Sequence, residues 1–413
     1  MAELIQPVDE DALGAAVSEA VAAGRTLAIE GAGTKAGYGR PVLADRRLSL
    51  ARLSGITYYE PGELVLEAWA GTPLSEIEAA LAENGQQLAF EPPDLGPLYG
   101  GPPDLGTIGG VIACNLSGSR RPYAGAARDH VLGIRAVSGR GEVFASGGRV
   151  VKNVTGYDMS KLMAGSFGTL AVLSRVIVKV LPRAEVVRTA LFVGSDANRA
   201  REILAKAGGA AWEVTGAAFV PAQEAGRSQV PYIAGSGGAV ALRLEGSRAG
   251  VTARARAVRE ALGMGGPTEE LHTSLSLLFW AEVAGGALLP ARNEDGEMIW
   301  RISCPPARGL AAADRIIDAL GGEAVFDWGG GMVWLALPDP GSVEAAHGQA
   351  DRLRAMAEEH EGYATLIRAP GNFREDVPVF HPEEAGVAAL SRRVKENFDP
   401  LGVLNPGRVV QGL

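Results

Sequence analysis

The stretch Gly147–Leu173, GGRVVKNVTGYDMSKLMAGSFGTLAVL, puts polar and amide-bearing residues (Lys152, Asn153, Thr155, Tyr157, Asp158) ahead of a short helical segment, Met159–Ala164. Gly165 and Gly168 follow, immediately before a β-branched strand that runs on through LSRVIVKV to Pro182. Glycine allows positive φ and close backbone approach. A chain built only to pack gains little from that order, whereas a chain that wraps its backbone around a large ligand gains main-chain contacts at Gly168 and Thr169.

Working outward, VLGIRAVSGRGEVFASGG reads as a hairpin that turns at Ser138–Gly141. Upstream of it, Thr107–Arg121, TIGGVIACNLSGSRR, carries two adjacent glycines, Ala113, Asn115 and Gly118-Ser119. Small residues at this density let backbone lie against a flat or charged ligand, and a tightly packed strand–turn is the alternative. A Pro/Gly loop spans Glu91–Gly106. Before it, Thr72-Pro73 predicts a helix start, with Thr as cap and Pro at the first helical position. Leu74, Ile77 and Leu81 give that helix an apolar face and Gly85 closes it. At the N-terminal end, residues 9–24 read as a helix capped by Asp9 or Asp11, with Leu13, Val17 and Val21 in register and Gly24 as its stop. The strand RTLAIE then runs into Glu30–Gly39, EGAGTKAGYG. Successive N–H groups in such a turn form a nest for phosphate oxygens. It matches neither the P-loop nor the Rossmann spacing, so an ordinary glycine turn is the competing reading.

Composition narrows the function. The chain has 413 residues, is 47% hydrophobic and 21% charged, and carries a net charge of -9. No Lys/Arg block offers a phosphate-backbone surface, which argues against a nucleic-acid partner. The two cysteines, Cys114 and Cys304, lack ligand spacing, so no iron–sulfur cluster or structural zinc is expected in this chain. The acidic N-terminus has no signal-peptide pattern and no run of about 18 apolar residues offers a membrane span, so a cytoplasmic protein is expected. After Pro182 the texture changes. Strand-like runs (RTALFVG, AVALRLEG, MVWLALP) alternate with Ala-rich helical runs through residue 370, which predicts a separate α+β domain with an antiparallel sheet. LHTSLSLLFWAEVAGG within it reads as core, with an interface as the alternative.

The order of three glycine-rich sites, strand plus GAGTKAGYG, then GTIGG…N…G, then GSFGTLAVLSRV, resembles the FAD-linked oxidases of the vanillyl-alcohol oxidase/para-cresol methylhydroxylase (PCMH) type. EPPDLG, RRPYAGAARDHVLG, the Gly147–Leu173 stretch, WRISCP, DWGGGMVWL and FDPLGVLNPGR are similar, more narrowly, to the FAD-binding subunits of bacterial glycolate oxidase. The resemblance implies an α+β fold: a two-subdomain PCMH-type FAD domain at 1–182, an α+β cap domain with an antiparallel sheet at 183–370, and a C-terminal segment, 371–413, returning to the FAD domain. It implies that Gly31, Ala32, Gly33, Thr34 and Lys35 hold the pyrophosphate. Thr107, Gly109, Gly110, Ala113, Asn115, Gly118 and Ser119 would line the ribityl and flavin path. Gly168, Thr169, Leu170 and Val172 would meet the adenosine end, and Asn405 and Arg408 the flavin ring. Lys152, Asn153 and Tyr157 would border the substrate side, although a surface or merely buried role competes for each. Family members that bind FAD covalently use a first-loop His or a later Cys, and this chain has Thr34-Lys35 in that loop, so non-covalent FAD is expected. His130 reads as structural.

Catalytic relatives hold a metal on histidine motifs in the cap domain. Here Asp327-Trp328 and Trp334 stand at those positions, and His272, His347, His360 and His381 are scattered, so no metal is expected. Arg301 is the candidate clamp for a substrate carboxylate, with a strand-edge salt bridge as its alternative, and no general base emerges. The expected function is a subunit that accepts or relays electrons from oxidation of glycolate or a similar 2-hydroxyacid. Its partners would be a second flavin subunit and an iron–sulfur subunit, and it would reach the inner face of the membrane at most through that complex. A non-catalytic assembly subunit, or a free-standing FAD dehydrogenase of another small acid or alcohol, are the alternatives.

Overall fold

The computed structural model describes residues 3–150, 156–290 and 296–412. The chain divides into two compact units. The first comprises residues 1–117, 125–183 and 378–413, and the second residues 118–124 and 184–377. Residues 378–413 thus join the first unit, whereas 371–377, expected with them, and residues 118–124 belong to the second.

In the first unit, strands β1 (Glu3–Ile5), β2 (Leu27–Glu30) and β3 (Arg46–Ser49) form a small parallel sheet in the order β1-β3-β2. Helix α1 (Glu10–Ala23) joins β1 to β2. Asp9 caps it by accepting Ala12 N–H at 2.7 Å, and Gly24, at φ 60°, ends it in the left-handed conformation. Leu13, Val17 and Ala20 form its buried face. Strands β4 (Ile56–Glu60) and β5 (Val65–Trp69) precede helix α2 (Leu74–Glu83) and helix α3 (Ile108–Cys114). The hairpin β6 (Val131–Ser138) and β7 (Val143–Gly147), helix α4 (Met159–Met163) and strand β8 (Ala171–Lys179) follow. The second sheet is antiparallel, in the order β4-β5-β8-β6-β7. β8 is paired on both sides and almost continuously buried, as a central strand requires.

Two local expectations need correction. Thr72 does not cap α2, because its hydroxyl donates to Trp69 O at 2.7 Å and accepts from Gly55 N–H at 2.9 Å, tying the strand end together instead. Ile108–Cys114 is not the strand–turn that stood as the alternative for Thr107–Arg121. It is a helix, because the Thr107 hydroxyl accepts Gly110 N–H and the small residues behind it tolerate close packing.

The second unit is one eight-stranded antiparallel sheet: β9 (Val186–Val193), β10 (Gly216–Val220), β11 (Ala239–Gly246), β12 (Thr268–His272), β13 (Met298–Ser303), β14 (Glu323–Asp327), β15 (Met332–Leu337) and β16 (Tyr363–Arg368), in the order β12-β9-β11-β10-β14-β15-β13-β16. Arg354, from the helix Val343–Glu358, stacks on Trp300 at 5.2 Å on one face. On the other, Trp280 of the helix Thr273–Gly285 donates to Thr189 Oγ1 at 2.8 Å. Phe279, Trp280 and Val283 of that helix are buried, so LHTSLSLLFWAEVAGG is core. Among the described residues, no helix is long and apolar enough to cross a membrane.

Candidate functional site

The site is a cavity of about 470 Å³ in the first unit. Its first wall is the turn after β2. Among the described residues, the N–H groups of Ala32, Gly33, Thr34 and Lys35 have no acceptor, while those of Ala36 and Tyr38 close turns onto Gly33 O and Lys35 O at 3.1 and 3.0 Å. Unmet donors at a cavity wall define an anion-binding surface. Lys35 adds a full charge: its ammonium has one hydrogen bond among the described residues, to Thr34 Oγ1 at 3.3 Å. Burial lowers its pKa below the ordinary lysine value, an effect the nearby Cys114 and Asp94 partly offset.

The second wall is α3. Gly109, Gly110, Ala113 and Cys114 line the cavity at helical spacing. A Cβ on Gly31 would stand 2.4 Å from Thr107 Oγ1, and one on Gly109 only 2.6 Å from the Ala70 carbonyl oxygen. Glycine is therefore required where the first loop and α3 meet their neighbours.

The third wall is the turn after α4, at the end of the Gly147–Leu173 stretch. Asp158 caps α4, and the turn after α4 closes the end of α3: Gly165 N–H donates to Ile112 O at 3.0 Å and Phe167 N–H to Ala113 O at 2.8 Å. Those are terminal helix carbonyls in need of donors. Gly165 at φ 87°, Phe167 at φ 54° and Gly168 at φ 69° make the bend. Gly168, Ala171 and Leu173 line the cavity.

Not every expected residue stands in this wall. Leu170 and Val172 are buried away from it, because the strand's two-residue period sends Ala171 and Leu173 inward instead. The Thr169 hydroxyl is turned onto Ser166 O at 2.7 Å. Asn115, at φ 49°, ends α3, and its side chain accepts Arg128 N–H at 2.9 Å. Gly118 and Ser119 belong to the second unit: the Ser119 hydroxyl donates to Asp327 at 2.6 Å and Gly118 O accepts Trp328 Nε1 at 3.1 Å. Tyr157 is 93% exposed, and Lys152 and Asn153 lie outside the described residues. Arg301 sits opposite Trp334 and Thr365 on β13, inside the sheet and not at its edge. His130 is buried beside Phe90, with ring centroids 5.4 Å apart.

Asn405 and Arg408 do line the cavity, and their side chains also bond to the chain. Asn405 donates to Phe167 O at 2.8 Å and accepts Ile29 N–H at 2.7 Å. Arg408 donates to Ala36 O, Arg40 O and Lys35 O at 3.1, 2.9 and 2.8 Å. They hold the first loop and the Phe167 turn in place. Cys114, Phe167, Ala171 and Leu173 were not anticipated. The helical period through Gly110 and the strand period through Ala171 were the signals that could have found them.

The family model described as "FAD binding domain" matches residues 1–147. The fold is that of p-cresol methylhydroxylase, whose substrate-bound crystal structure matches at TM-score 0.74 and 14% identity, over 99% of this chain and 88% of that one. The protein is thus an FAD-dependent oxidoreductase of the PCMH-type fold, with FAD as its cofactor. It is 35% identical over 393 residues to the glycolate oxidase subunit GlcE of Escherichia coli, covering 95% of each chain, and 29% identical over 398 residues to an uncharacterized FAD-linked oxidoreductase of Mycobacterium tuberculosis, covering 90% of this chain and 83% of that one. The chain belongs to the family of the glycolate oxidase subunit GlcE.

The cavity fits that cofactor: four unmet N–H donors and a half-buried ammonium suit a pyrophosphate, and the glycine contacts suit close backbone approach. Lys35→Met is expected to weaken FAD binding roughly 10- to 100-fold while stabilising the apoprotein by about 1 kcal/mol, because it removes a desolvated charge. Titration with FAD and apoprotein melting check the two signs. The pH dependence follows. A lysine whose folded pKa lies below 10.5 binds fewer protons folded than unfolded in the window between the two values, so its contribution to apoprotein stability rises with pH there. FAD affinity falls over the same window, and Lys35→Met should flatten both trends.

Proposed function

We propose that this chain is the electron-relaying FAD subunit of a complex that oxidises glycolate or a similar small 2-hydroxyacid. It would work beside a second flavin subunit and an iron–sulfur subunit. The observation that carries the reading is the composition of the cavity wall. It offers cations and backbone donors for a dinucleotide, yet it includes no histidine, and its one carboxylate, Glu30, is paired with Arg47 at 2.6 Å. A hydroxyl oxidation needs a base within reach of the proton, and this wall supplies no obvious one.

Bound FAD supplies a two-electron carrier. The chain's own residues do the rest. The N–H groups of Ala32–Lys35 and the Lys35 ammonium bind the pyrophosphate. Thr107, Gly109 and Gly110 let α3 lie close to it, and Gly168 closes the wall. Arg408 and Asn405 orient the loops. The first loop carries no histidine, so FAD is held without a covalent bond. Acid precipitation should leave colourless protein and yellow supernatant, whereas yellow precipitate would overturn this and point to Cys114, the cavity's one thiol.

The visible spectrum of the purified chain, recorded anaerobically before and after glycolate, tests the relay. Flavin bands that persist in the isolated chain and bleach once the partner subunits are added are expected. Bleaching of the isolated chain would make it catalytic by itself.

A further inference from the structure

The Gly168 wall is gripped from both sides by the C-terminal segment. Asn405 holds the carbonyl of Phe167. Two residues on, Lys395 Nζ donates to the carbonyl of Thr169 at 2.7 Å. Lys395 belongs to the helix Ala385–Phe398 and is its one buried residue among the described residues. Its ammonium also donates to Leu404 O at 3.1 Å and to Asp399, which is buried as well. Asp399 in turn accepts Val403 N–H and Leu404 N–H at 2.9 and 2.8 Å. Leu404 bridges to Leu27, and Asn405 N–H donates to Leu27 O at 2.9 Å. Gly139 packs so closely on Asp399 that a Cβ there would stand 2.3 Å from its carboxylate.

A buried ion pair is seldom a net source of stability, since well-packed apolar residues often do as well. Here the pair has a geometric task. Phe167 and Gly168 hold consecutive positive φ values of 54° and 69°, a bend that persists only when its surroundings fix it. The charged network sets where Leu404 and Asn405 run, and grips the far carbonyl of the bend directly.

We propose that Lys395 and Asp399 are positioning residues for the flavin nucleotide: without touching it, they fix the Phe167–Thr169 bend that forms one wall of its cavity. This rests on the reading that the cavity holds FAD.

The test is FAD titration of deflavinated full-length protein, together with the visible circular dichroism of the bound flavin, for wild type, Lys395→Met, Asp399→Asn and Gly31→Val. The positioning role predicts FAD affinity lowered roughly 10- to 100-fold and an altered flavin dichroism in the Lys395 and Asp399 variants, a signature that a loss of global stability alone would not produce. Unchanged affinity and dichroism in those variants, with Gly31→Val impaired, overturns the positioning role and leaves the cavity reading intact. Unimpaired Gly31→Val overturns the cavity reading and the proposal with it. Hydrogen exchange on wild type covers the case in which the variants do not fold. FAD should slow exchange at Val403 and Leu404, and no change there would also overturn the proposal.

Discussion

Gly109→Ala is expected to cost about 3 kcal/mol of stability and to leave a protein that takes up no FAD. The added methyl would meet the Cβ and the carbonyl oxygen of Ala70 at 2.6 Å each. A backbone carbonyl cannot rotate away as a flexible side chain can. Gly109 N–H also donates to that same Ala70 O at 2.8 Å, so pushing α3 outward breaks the bond that docks it. Because α3 carries Gly110, Ala113 and Cys114 into the cavity, the displacement reaches the cofactor. Alanine is the better helix former, so propensity alone predicts the opposite sign. Thermal melting of the apoprotein and FAD titration decide between the two.

Asp327→Ala is expected to cost about 3 kcal/mol in the second unit. The Asp327 carboxylate is fully buried and accepts the Ser119 hydroxyl at 2.6 Å and Trp328 N–H at 2.7 Å. Removing it strands the buried Ser119 hydroxyl, at roughly 1–3 kcal/mol, and the part-buried Trp328 N–H. It also loosens the segment 118–124, whose other anchors include the Arg120–Glu245 ion pair at 3.0 Å, the Trp328–Gly118 bond and Arg121 stacked over Trp328 at 4.7 Å. Asp327→Asn should recover part of the loss, since the amide oxygen still accepts one bond. Denaturant unfolding followed by tryptophan fluorescence measures the change, and a loss below about 1 kcal/mol would show that the segment is held without this carboxylate.

Much of this architecture was legible because glycine and periodicity are local signals. Gly31–Lys35, Gly109 and Gly168 drew attention to segments that line the cavity, and the texture change after Pro182 pointed to the large antiparallel sheet beyond it. What escaped depended on partners distant in sequence. Gly118 and Ser119 read as cofactor residues because small residues look alike wherever they pack, and their anchors, Asp327 and Trp328, are some two hundred positions away. Asn405 and Arg408 read as flavin-ring residues; they line the cavity, but nothing local shows that their side chains also bond to Phe167, Ile29 and the first loop. Cys114 was hidden because Thr107–Cys114 did not read as a helix, and without the helical period its side chain has no assigned direction.

The bond from Ile29 N–H to Asn405 spans 376 residues. At a synthesis rate of about 5–20 residues per second, the first loop emerges from the ribosome roughly 20–75 s before the side chain that anchors it exists. The whole eight-stranded sheet, β9–β16, is made in that interval and can fold first. The cofactor cavity is therefore completed only after the eight-stranded sheet has been made, and capture of the flavin reports that the chain has been translated through Asn405.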